Sequence, residues 1–262
     1  MRRLRSFFVT PVQDVFACLE HVMAGPQPGK ATILMVISLL VTWVVYVPIH
    51  ELLHVLGCVA TGGTVSELQV DWKYGGAILA KLFPFVKVGG EYAGRLTGFD
   101  TKGSDWVYFA TDFMPFLLTV LIGVPLILVC RGRRRPILFG AAIVVGLAPI
   151  YQLPGDYYEM GSILTTRILT TLAGGGPIVF ESIRSDDVFR LFGEVFANAA
   201  ELGMGTSRSL IVGLLLILVC FAMGTILACC TYLLGRFFGL LILPKPDASR
   251  ERLVAARKIS KT

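Results

Sequence analysis

The chain has 262 residues, of which 55% are hydrophobic and only 16% charged, with a mean hydropathy of +0.72. Soluble domains carry about 25% charged residues, so this composition excludes an ordinary water-soluble globule. The net charge of +6 gathers in Arg2, Arg3 and Arg5, in the loop 131–135 and in the tail 244–262. These basic clusters flank apolar stretches, which is the positive-inside pattern of a membrane protein and not a nucleic-acid surface.

Segment 1–30 opens the chain, and within it residues 11–24 place Val12, Val15, Phe16, Leu19, Val22 and Met23 on one helical face. This predicts an amphipathic helix lying on the lipid bilayer, ended by Gly25-Pro26. Residues 31–49, 113–130, 136–154 and 209–235 carry no charge. Each run is roughly 18 residues or longer, enough to cross a hydrocarbon core as helix. The first is expected to remain as a signal anchor, because the apolar stretch before it is too short to be cleaved as a signal peptide. The predicted helices are 31–60, 106–130, 136–153 and 209–243, with Pro48 a possible kink in the first. A further helical pattern at 157–172 stops at Gly174-Gly175-Gly176-Pro177.

Residues 61–104 are glycine-rich and β-favouring, with strands expected at 67–72, 77–88 and 91–96. Residues 186–202 form a second amphipathic segment carrying Phe189, Phe192, Val195, Phe196 and Ala199 on one stripe, with Ser185 or Asp186 as its N-cap. The fold class is therefore an all-α polytopic membrane protein of four to five transmembrane helices with a small β-rich insertion. Residues 31–243 form one domain, and the tail 244–262 is expected to be disordered. The six cysteines lie mostly in or beside apolar helices and read as packed thiols, not as a disulfide framework.

The chemistry lies in His50-Glu51-Leu52-Leu53-His54, inside the first predicted span. Residues four apart share a helix face, so His50 and His54 can offer two imidazole nitrogens to one Zn2+ ion. Zinc acidifies a water towards a pKa of about 7, and Glu51 stands where a carboxylate can take its proton and act as general base. Two of the chain's three histidines and a glutamate within a membrane span mark function, because ionisable groups in hydrocarbon are costly unless partnered. His21 falls on the amphipathic surface segment and is expected only to be solvated.

Catalytic zinc takes three protein ligands. Asp156, following an apolar run through Leu153-Pro154-Gly155, is the expected third. Asp112 and Glu159 are the alternatives, and Cys58, four residues beyond His54, is expected to be packed and not to ligate.

The motif His50–His54 within a transmembrane helix, followed by Gly62-Gly63-Thr64-Val65 and a β-rich stretch, resembles the site-2 protease family of intramembrane zinc metalloproteases. Leu153-Pro154-Gly155-Asp156, leading into Gly161-Ser162, is similar to that family's second motif, with its Asp-Gly pair reversed. The chain is also similar to a group of membrane zincin peptidases. The resemblance covers about residues 45–170. It implies one zinc held by His50, His54 and Asp156, and peptide-bond hydrolysis in a membrane-protein or membrane-associated peptide substrate. It also implies a multi-pass protein of a bacterial or archaeal cell membrane. Residues 77–88 are expected to pair with an unwound substrate segment. The alternative function is a metal-binding membrane protein without peptidase activity, a transporter or an assembly factor. Positive-inside reasoning places His50 in the outer half of the bilayer, whereas the resemblance implies a motif helix ending on the cytoplasmic side. No oligomeric state follows from either argument.

Overall fold

In hydrocarbon a long apolar run satisfies its backbone hydrogen bonds only by coiling into helix, and most of this chain does so. The computed structural model describes residues 2–172, 183–202 and 204–243. The expected tail 244–262 and the helix stop at 174–177 lie outside them. Helix α1 (Arg2–Met23) precedes α2 (Pro28–Ala60), which continues through Pro48. The insertion contributes β1 (Thr64–Val70), α3 (Gly76–Leu82), β2 (Val86–Val88) and β3 (Gly94–Asp100). Next, α4 (Asp105–Phe113) runs through a tight turn at Met114–Phe116 and a wide one at Thr119–Gly123 into α5 (Val124–Cys130). Then follow α6 (Pro136–Gly146), α7 (Ala148–Tyr151), α8 (Asp156–Leu172), α9 (Val188–Ala197) and α10 (Ser207–Ile242).

Among the described residues, three stretches are long and apolar enough to cross a membrane: Pro28–Ala60, Asp105–Cys130 and Ser207–Ile242. The fourth expected span, 136–153, is broken instead. Leu147 leaves helical geometry (φ −100°, ψ 8°) and ends α6 after 11 residues. Pro149, which lacks an N–H, then suits the first turn of the short α7. The amphipathic segment is also shorter than expected, capped by Asp187 accepting from the backbone N–H groups of Phe189 and Arg190. Val188, Leu191 and Val195 are buried, and Phe192 packs beside them, while Phe189 and Phe196 point outward.

Small residues let these helices approach closely, as in membrane bundles generally. A Cβ on Gly161 of α8 would overlap the Cys220 carbonyl of α10, and one on Gly224 would overlap the Tyr157 carbonyl in return. Gly140 of α6 admits the Met35 carbonyl of α2 in the same way. At the opposite end of α2 from the motif, Cys18 and Val22 of α1 join Ile127, Phe139 and Tyr232 in one core cluster. Buried Asp14 of α1 accepts from Arg131 at 3.1 Å and from Arg236 at 3.0 Å, tying α1, the arginine loop and α10 together. His21 is exposed, as expected.

The sheet has the order β2-β1-β3. β1 pairs parallel with β2 (Leu68 opposite Val86) and antiparallel with β3 (Leu68 opposite Leu96). Leu68, Val70 and Val86 are buried against Val55 and Leu52 of α2, fixing the sheet beside the motif. The strand expected over 77–88 is mostly the helix α3. Ala, Leu and Lys favour helix, and a short run apolar but for Lys81 carries no period to distinguish the two states. Only Val86–Val88, beyond Pro84, is strand, and the other two strands lie a few residues from their expected places.

Candidate metal centre

α2 presents Tyr46, His50 and His54 on one face at successive turns, and all three are buried. α8 begins at Asp156, just after the Pro154-Gly155 break, and carries that carboxylate to the same point. His50 Nε2 lies 3.1 Å from His54 Nε2 and 3.2 Å from Asp156 Oδ2. His54 Nε2 lies 3.6 Å from the same carboxylate oxygen. Four-coordinate zinc, with bonds of about 2.0–2.1 Å, spaces its ligands about 3.3 Å apart. The three edges bracket that spacing, so His50, His54 and Asp156 form a group able to bind a metal ion.

The hydrogen bonds behind the imidazoles support the same assignment. His54 Nδ1 lies 2.9 Å from the Thr111 carbonyl oxygen. A carbonyl only accepts, so Nδ1 carries the proton and Nε2 keeps its lone pair. His50 Nδ1 meets the Tyr46 hydroxyl at 3.0 Å, which can accept in the same way. Phe116 packs edge-on against the His50 ring, with centroids 5.5 Å apart. Two imidazole lone pairs and a carboxylate oxygen then converge on one point, an arrangement that repels itself unless a cation lies between them.

Glu51 is 8% exposed and lines the same cleft, a cavity of about 740 Å³. Gly94, the first residue of β3, covers it: a Cβ there would overlap Glu51 Cγ and lie 2.9 Å from Cδ. β3 lines the cleft from Gly94 to Thr97 as the outer strand of its sheet. The cleft is also lined by Asp186 and Asp187, just before α9: Asp186 pairs with Arg95 of β3 at 2.5 Å, and the Tyr92 hydroxyl donates to Asp187 at 3.0 Å. That bond to a carboxylate raises the Tyr92 pKa above its ordinary value.

Of the alternative third ligands, Asp112 and Glu159 line the cleft but stand outside the converging group. Cys58 is buried with its thiol 3.7 Å from the Thr64 carbonyl. Sequence reasoning missed Tyr46, although its spacing of four residues before His50 was a usable signal. The Thr111 carbonyl and Gly94 had none, because each acts through backbone brought in by the fold. Comparison of this chain with family models, with curated proteins and with solved structures gives no match.

Proposed function

We propose that the protein is a membrane-embedded zinc metallopeptidase that hydrolyses peptide bonds in membrane-protein or membrane-associated peptide substrates. The observation that carries this reading is the convergence of His50, His54 and Asp156 at zinc-like spacing with Glu51 beside them in one cleft. Zinc bound there would act as a Lewis acid that acidifies a water and polarises the scissile carbonyl.

The chain's own residues then have separable tasks. Tyr46 and the Thr111 carbonyl hold the imidazole rings with Nε2 turned inward. The Glu51 carboxylate takes a proton from the attacking water and returns it to the leaving nitrogen. The scissile bond must be extended to be reached, and the free edge of β3 offers backbone groups for a substrate strand to pair with. That role passes to β3 from residues 77–88, which form α3 and β2 and do not line the cleft.

The orientation follows from positive-inside charge. The arginine loop and α1 meet at one end of the bundle, and His50 lies about 33 Å along α2 from Pro28. With the basic end in the cytoplasm, the cleft sits in the outer half of the membrane.

The test is hydrolysis of an unstructured apolar peptide by the detergent-purified protein, with Glu51→Gln as control. Cleavage that a zinc chelator stops and Glu51→Gln lacks supports the reading. Zinc bound without cleavage of any peptide or membrane-protein substrate favours the non-proteolytic alternative.

A further inference from the structure

Beyond the metal ligands and Glu51, the cleft holds two buried acids that the proposed reaction does not use; two further acids of its lining, Asp186 and Asp187, are bonded to Arg95 and Tyr92. Asp112 is 4% exposed and Glu159 is 5% exposed, and both line the cavity. Asp112 directly follows Thr111, whose carbonyl holds His54. Glu159 stands one turn after Asp156 on α8, a spacing that puts the two carboxylates on one helix face, about 5–6 Å apart at Cβ. The pair therefore lies within a turn of the metal centre.

Neither acid has a cationic partner among the described residues. The Tyr108 hydroxyl donates to Glu159, and the buried Oδ2 of Asp112 receives no hydrogen bond at all. The three arginines of the cleft are engaged elsewhere: Arg95 with Asp186 at 2.5 Å, Arg184 with Asp105 at 2.9 Å and Arg190 with Glu194 at 3.4 Å. A carboxylate taken out of water costs several kcal/mol unless a cation or several donors replace the lost hydration. Two such groups facing one cavity make a receptor for positive charge.

We propose that Asp112 and Glu159 form a subsite for an ammonium or guanidinium group of the bound peptide, carried by a lysine or arginine side chain or by a free amino terminus. This rests on the peptidase reading and adds a substrate preference to it: a cationic group one or two residues from the scissile bond. Orphaned Asp112 is the principal acceptor. Glu159 is held in place by Tyr108 and supplies the second carboxyl group.

Binding is measured apart from hydrolysis. Zinc-loaded Glu51→Gln protein is titrated by fluorescence anisotropy with four labelled apolar peptides. They carry one lysine or norleucine in its place, each with a free or an acetylated amino terminus. At least one cationic form is expected to bind about tenfold or more tightly than the uncharged peptide. Preference for lysine assigns the side chain, and preference for the free terminus assigns the α-amine. The advantage should vanish when Asp112→Asn or Glu159→Gln is added, with zinc content unchanged. Equal binding of all four peptides, binding of none, or a cationic advantage surviving both substitutions overturns the inference. A proton shared by the two acids would give such equal binding. Selective binding without hydrolysis by the wild-type protein would retain the subsite and remove the peptidase reading.

Discussion

Gly94 at the start of β3 lies against Glu51 so closely that any side chain there would displace the carboxylate. The sheet thus acts on the proposed catalytic base directly, through a backbone position that only glycine can fill. Gly94→Ala should leave zinc bound, since none of the three proposed metal ligands is touched. Peptide hydrolysis should fall about 100-fold, the usual consequence of moving a reacting group by about 1 Å. Metal content and turnover measured on the same preparation check this, and full activity in Gly94→Ala would remove Gly94 from the site.

Tyr46 contacts His50 Nδ1 at 3.0 Å without reaching the metal position itself. Tyr46→Phe keeps the ring and removes the hydroxyl. Zinc affinity is expected to weaken about tenfold, the lower end of what a lost partner behind a ligand costs. Competition against a chelator of known affinity measures it, and unchanged affinity would reduce Tyr46 to a packing role.

Much of the candidate metal centre was legible in the sequence because its signal is local. The four-residue spacing of His50 and His54 needs only a helix to become a site, and Glu51 comes with them. Asp156 could be anticipated because Pro154-Gly155 breaks the helix at the end of an apolar run just before it. What stayed hidden depends on tertiary approach. No residue pattern says that the Thr111 carbonyl will meet His54, or that Gly94 will cover Glu51. The helix α3 was hidden for a different reason, since Ala77–Leu82 is apolar but for Lys81 and is too short to show a helical or a strand period. The break at Leu147 was foreshadowed by Pro149, but the surrounding apolar run masked it.

Asp14 lies 3% exposed between Arg131 and Arg236, with the Tyr232 hydroxyl 3.3 Å away. Asp14→Ala leaves those partners facing an empty place at the end of the bundle remote from the metal. A loss on the order of 1–2 kcal/mol is expected from the lost charge-assisted hydrogen bonds, because Arg131 and Arg236 are partly exposed and stay solvated without Asp14. The detergent-solubilised variant should melt several degrees below wild type while still binding zinc. An unchanged melting temperature would show that α1 is held by its apolar face alone.

In the proposed reading, His50, His54 and Asp156 hold one catalytic zinc. The most direct test is the zinc content per chain of detergent-purified protein, compared among wild type, His54→Ala, Asp156→Ala and Asp112→Asn. One zinc is expected in wild type and in Asp112→Asn, and none retained by His54→Ala or Asp156→Ala. Wild-type protein without tightly bound zinc, or Asp156→Ala that keeps it, would overturn this ligand assignment.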